Sequence, residues 1–124
     1  MNVPDDLLYT KDHEWIRIID EVATIGITDY AQGELGDIIF IEFPDKGVQY
    51  QSGDPIGTIE AVKTVADIYT PMDGEILDVN AELEDEPESI NKDPYEKGWI
   101  IKLCKISNDV SDLLTASDYK DLIQ

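Results

Sequence analysis

The chain has 124 residues, and its 28 Asp and Glu against 9 Lys and Arg give a formal net charge of -19. Nucleic-acid phosphates are repelled by that balance, and no basic patch is visible to release their counterions, so a nucleic-acid partner is excluded. The length suits one domain over residues 1–124, the 42% hydrophobic content supplies a modest core, and no run approaches the roughly 18 to 20 apolar residues of a membrane span.

Met1-Asn2-Val3-Pro4-Asp5-Asp6 is neither a secretory signal nor an Arg-rich transit peptide. A cytoplasmic protein is the simplest reading, and a mature mitochondrial protein that has lost its presequence also meets it. Trp15–Ile19 and Val22–Ile27 read as strands around a turn at Asp20-Glu21. Thr28 is placed to cap a short helix from Asp29 to about Leu35, which Gly36 ends. Ile38–Phe43 reads as a buried strand closed by Pro44-Asp45-Lys46-Gly47.

After the turn at Ser52-Gly53-Asp54, Pro55–Val62 and Val65–Tyr69 read as strands on either side of Lys63. Pro71-Met72-Asp73-Gly74 is a turn signal, with Gly74 read as a position needing positive φ, and Glu75–Val79 alternates as a strand. Asn80 to Lys97 is a polar loop with five acidic residues between Glu82 and Glu88 and a short helical turn around Pro87 to Ile90. Trp99–Ile106 is the last strand. Ser107-Asn108-Asp109 is placed to cap a helix through Leu114, and Thr115-Ala116-Ser117-Asp118 to cap a second one carrying Tyr119, Leu122 and Ile123. Many short strands without a βαβ rhythm or a phosphate-binding glycine motif predict an all-β sandwich or flattened barrel with small peripheral helices.

Cys104 is the single cysteine, so no internal disulfide forms, and the alternation of its strand predicts a buried small hydrophobe in a reducing compartment. His13 is the single histidine. A thiol nucleophile lacks an evident base, and a structural zinc site lacks ligands; no metal site and no catalytic residue are expected. Trp15, Tyr95 and Trp99 read as packing aromatics.

Lys63 is the informative residue. Val62-Lys63-Thr64 lacks the Asn-Gly or Asp-Gly of primed hairpin turns, which leaves a type I turn, with the lysine held in solvent. A free exposed ammonium is protonated at pH 7 and a poor nucleophile, so direct catalysis by this amine is not expected. A lysine acylated by a modifying enzyme is another matter: the charge is exchanged for a long tether, and the turn only has to present it.

Glu60-Ala61-Val62-Lys63, followed by Asp67, Pro71 and Gly74, resembles the lipoyl-lysine motif of the glycine cleavage system H proteins. Tyr9-Thr10-Lys11-Asp12-His13-Glu14-Trp15 resembles the amino-terminal signature of that family, Gly26 to Gln32 with Leu35-Gly36-Asp37 its second block, and Asn91 to Tyr95 with Gly98-Trp99-Ile100 a later one. These blocks cover nearly the whole chain in the family's order. The resemblance implies the lipoyl/biotinyl hammerhead fold, with lipoic acid in amide linkage to Lys63 on an exposed hairpin. It also implies a shuttle rather than an enzyme: glycine decarboxylase (P protein) loads the arm with an aminomethyl group, a folate-dependent aminomethyltransferase (T protein) unloads it, and dihydrolipoamide dehydrogenase (L protein) reoxidises the dithiol. Glu60 and Gly74 match positions read by the lipoylating enzymes. Glu14 and Asp67 match positions lining a cleft that shelters the loaded arm, and each also reads as an ordinary surface acid.

Two alternatives share these features. An H-like protein relaying lipoyl groups to 2-oxoacid dehydrogenases has the same motif around its lysine. A biotin carrier would show methionines where Val62 and Thr64 stand. A monomer is the default. The acidic surface reads either as a source of solubility or as a means of steering the carrier to electropositive partners.

Overall fold

The computed structural model describes residues 2–106 and 110–124. The Ser107-Asn108-Asp109 cap lies outside the described residues. Among the described residues nine strands form two antiparallel sheets. The larger sheet holds β1 (Leu8–Tyr9), β2 (Glu14–Ile19), β3 (Val22–Ile27), β9 (Ile101–Lys105), β8 (Gly74–Val79) and β5 (Gln49–Tyr50), in that spatial order. The smaller sheet holds β4 (Ile38–Glu42), β6 (Pro55–Ala61) and β7 (Val65–Tyr69), with β6 central. This is the all-β, flattened sandwich with small helices that the sequence predicts.

Period-two alternation builds the main core between the sheets. Ile16, Ile25, Ile76, Ile101 and Leu103 of the larger sheet bury their side chains in one cluster with Ile41, Ile59, Ala61 and Ile68 of the smaller. A second cluster gathers Leu7, Tyr9, Trp15, Tyr95 and Tyr119, with Trp15 Nε1 donating to the Pro94 carbonyl at 2.9 Å. Gly26 faces Trp15 across the β2–β3 ladder, and a Cβ there would lie 2.6 Å from the indole, so the ring fits only over a glycine.

Helix α1 (Asp29–Leu35) forms as predicted: the Thr28 hydroxyl accepts from Ala31 N–H at 3.1 Å, and Gly36 ends the helix at φ 81°. The acidic loop carries a 3-10 turn (Ala81–Glu84) and α2 (Ser89–Lys92), slightly later than the expected helical turn. Helix α3 (Ala116–Ile123) is capped by Thr115, which accepts from Asp118 N–H at 3.2 Å.

Three local expectations are corrected. Val110 to Leu114 is not helical; Leu114 instead pairs with Tyr9, each backbone N–H donating to the other's carbonyl, at 2.9 and 2.7 Å. Ile38–Phe43 is not buried throughout: the ladder shifts register between Ile38 and Phe40, so Ile38 and Ile41 point inward while Ile39 and Phe40 are both exposed. Cys104 is half-buried, because Ile101 and Leu103 take the inward positions of β9 and the cysteine shares the other face with Lys102.

Candidate functional site

Lys63 sits at the end of the β6–β7 hairpin. Ala61 N–H donates to the Thr64 carbonyl at 2.8 Å and closes the reversal, while Val62 N–H donates to the Asp37 carbonyl at 3.1 Å and ties it to the start of β4. The positive-φ residues among those described are His13, Asp20, Gly36, Gly47 and Gly53, so the tip uses no primed turn. Lys63 is exposed and engages in no hydrogen bond or ion pair among the described residues. An amine so placed is sterically accessible and is presented by a backbone held by hydrogen bonds.

Glu60 is exposed three residues earlier, on the outer face of β6, level with Phe40 on one side and Val65 on the other. Beyond the tip, β7 forms the free edge of the smaller sheet. Ala66 and Asp67 of this edge, His13 and Glu14, and Ile27 with Leu35 line a cleft of about 160 Å³. Asp67 lies only four residues from Lys63, so the cleft opens about 13 Å along the strand from the tip.

Glu14 is not a surface acid. It is 2% exposed, and its carboxylate accepts from Thr10 Oγ1 at 2.9 Å and from the outward N–H of Tyr69 at 2.8 Å. It thereby clips β2 to the free edge of β7. Burial raises its pKa to about 7, with a smaller push from Asp12, against the two hydrogen bonds that favour the anion. Asp67 is exposed at the same cleft, held weakly by Thr58 Oγ1 at 3.4 Å. The structure therefore brings Glu14 and Asp67 together and makes them unlike: one is buried and close to neutrality, the other solvated.

The sequence alone left His13 without a role. It sits at φ 67°, stacks on Tyr30 with ring centroids 4.9 Å apart, and its Nδ1 lies 2.9 Å from the Tyr119 hydroxyl, which also meets Thr28 Oγ1 at 2.7 Å. Helix α3 thus braces one wall of the cleft across 106 positions of sequence. Only its place beside Glu14 could have flagged it.

The sequence profile described as glycine cleavage H-protein matches residues 7–124. Proteins named glycine cleavage system H protein are similar to this chain: that of Staphylococcus epidermidis is 50% identical, covering 99% of this chain and 98% of the relative. The protein of that name from Listeria welshimeri is 52% identical, with 97% of each covered. A crystal structure of a glycine cleavage system H protein from Mycobacterium marinum superposes with a TM-score of 0.90 at 38% identity, covering 96% of this chain and 97% of that one. This chain belongs to the glycine cleavage H-protein family.

Within the family's frame, Gly74 occupies an unexpected environment. It opens β8 buried, outside the positive-φ region, and a Cβ there would lie 2.5 Å from Leu103 Cγ and 2.8 Å from the Cys104 carbonyl. Close packing of β8 on β9, rather than a turn, requires the glycine. It also stands beyond the five residues of β7, about 17 Å along the strand from the Lys63 tip. Gly74→Ala is expected to cost about 2 kcal/mol by overpacking, measured as a lower midpoint in urea at unchanged slope. No cluster of metal-ligating side chains occurs among the described residues, and no helix among them is long and apolar enough to cross a membrane.

Proposed function

We propose that residues 1–124 form a single carrier domain that bears lipoic acid in amide linkage on Lys63. In this reading it shuttles an aminomethyl group in the cytoplasm from glycine decarboxylase to the folate-dependent aminomethyltransferase, then electrons to dihydrolipoamide dehydrogenase, and is not itself an enzyme. The observation that carries the reading is the Lys63 amine, exposed and without a partner among the described residues, on a backbone-tied tip in a chain of the glycine cleavage H-protein family. When bound, the lipoyl group supplies a dithiolane that opens on reduction and holds one group on sulfur.

The chain's own residues fit that group. Lys63 offers an accessible nitrogen for the amide. Ile27, Leu35, Ile59 and Ala66 give the neighbouring cleft an apolar lining that excludes water. Glu14 and Asp67 place two carboxylates there, suited to a cationic amine. Glu60 stands where a modifying enzyme seated on Lys63 meets it, and Gly74 shapes the sheet behind the hairpin.

Intact-mass and peptide mass spectrometry of the protein purified from its native cell tests the reading. A lipoyl-sized increment on Lys63 is the expected result. A biotin-sized increment would move the protein to carboxylation chemistry, and an unmodified Lys63 in cells that lipoylate other proteins would overturn the proposal.

A further inference from the structure

His13 is the chain's single histidine, and it lines the cleft beside Glu14. Its side chain ends a run of hydrogen bonds whose direction can be worked out from the interior outward. Thr28 Oγ1 accepts from Ala31 N–H at 3.1 Å, and Tyr119 Oη, 2.7 Å away, is its other partner among the described residues. Thr28 and Tyr119 are both fully buried, so neither hydroxyl proton turns to bulk water. If Thr28 donates to Tyr119 Oη, its proton is satisfied. The reverse direction strands a buried hydroxyl proton and is disfavoured by about tenfold or more. Tyr119 Oη–H is then left to donate to His13 Nδ1, 2.9 Å away. A neutral imidazole that accepts at Nδ1 carries its proton on Nε2.

Nε2–H is thus a donor whose state the fold sets, and it has no partner among the described residues. Stacking on Tyr30 and an edge contact with Tyr119, ring centroids 5.8 Å apart, hold the ring that bears it. The other polar side chains lining the cleft, Asp12, Glu14, Glu34 and Asp67, are all carboxylic acids. A cationic amine finds acceptors among them and gains nothing from an N–H donor. An opened dithiolane also presents a sulfur that carries no group, and sulfur is an acceptor, strongest as the thiolate. The arm's amide carbonyl is an acceptor too, but it stays beside Lys63. His13 adjoins Glu14, which meets β7 at Tyr69, on the far side of Asp67 from the tip.

We propose that His13 is a further arm-binding residue of the cleft, donating from Nε2–H to the sulfur that carries no aminomethyl group, and that Tyr119 is its positioning residue. The proposal rests on the reading of Lys63 as the attachment point and adds a second kind of recognition to the cleft. The carboxylates take the cation, and the imidazole takes the sulfur. Tyr119 belongs to α3, so the C-terminal helix contributes to retaining the arm although it does not line the cleft.

The test is proton–nitrogen correlation NMR on the full chain, in which one histidine gives one imidazole pattern. In the unlipoylated protein the neutral ring is expected as the Nε2–H tautomer, with the Tyr119 hydroxyl proton hydrogen-bonded to Nδ1. A proton on Nδ1 would overturn the directed chain. When the lipoylated protein is reduced, the Nε2–H signal is expected to shift and its exchange with water to slow about fivefold, the size of one hydrogen bond. A Lys63→Arg protein taken through the same reduction should show neither change. An Nε2–H signal indifferent to the reduced arm would overturn the sulfur contact.

Decay of the loaded carrier tests Tyr119 separately. His13→Asn, whose side chain tolerates the positive φ, is expected to shorten the lifetime about fivefold and Tyr119→Phe about threefold. Tyr119→Phe added to His13→Asn should shorten it no further, because a positioning residue acts through the group it positions. Losses that add would overturn that role and reduce Tyr119 to a support of the fold. Absence of a lipoyl increment on Lys63 would overturn the attachment reading, whereas the tautomer of the unlipoylated chain is measured independently of it.

Discussion

Replacing Lys63 with arginine is expected to abolish modification and glycine-dependent turnover together, while leaving the fold unchanged. Arginine keeps the positive charge and most of the reach, but a guanidinium that stays protonated at any accessible pH has no lone pair to form the amide. Because Lys63 is exposed and without a partner among the described residues, its loss should alter stability by no more than about 0.5 kcal/mol. Mass spectrometry should find no lipoyl increment, and a reconstituted system of decarboxylase, transferase and dehydrogenase should fall to the level seen without carrier. Lys97→Arg, at another exposed lysine, should be indistinguishable from wild type. Residual turnover by a Lys63→Arg protein of verified mass would mean that the group is carried elsewhere.

The hairpin that presents Lys63 was legible because its determinants are local: two β-rich runs, a turn between them, and family motifs on both sides. The same holds for α1, whose Thr28 cap and Gly36 stop lie within one short segment. What escaped depends on partners distant in sequence. Glu14 read either as a cleft-lining carboxylate or as an ordinary surface acid, and its burial stayed hidden because Tyr69, which donates to it, lies 55 positions away. Gly74 followed a turn signal, but Leu103 is what leaves no room for a side chain. Ile38–Phe43 is apolar enough to read as buried throughout, and only the register shift against β6 shows which residues turn outward. Leu114 lost its expected helix to a pairing with Tyr9 at the other end of the chain.

Glu14→Gln separates the stability of the cleft from its use. In the folded protein the Glu14 pKa stands near 7 against an ordinary 4.5, because burial penalises the anion. The folded state therefore binds this proton more tightly than the unfolded chain. Its stabilising contribution is complete below about pH 4.5 and is lost as pH rises through about 7. The shift corresponds to about 3 kcal/mol at most. The quantity to measure is the difference between wild type and variant, which isolates Glu14 from every other titrating group. Relative to wild type, Glu14→Gln should lose stability least, or gain it, above pH 8, and should become steadily less favourable as pH falls toward 5 and wild-type Glu14 takes up its proton. In the loaded carrier a cationic amine would favour the ionised carboxylate, and that pairing is unavailable to the amide side chain. The loaded form of the variant should thus decay about tenfold faster at pH 8, the size of one charge-assisted hydrogen bond, with lipoylation intact. Wild-type lifetime should rise with pH through the range in which Glu14 ionises, while the variant's lifetime lacks that rise. A variant with the altered stability profile but an unchanged lifetime would restrict Glu14 to clipping β2 onto β7 and leave Asp67 as the cleft's acid.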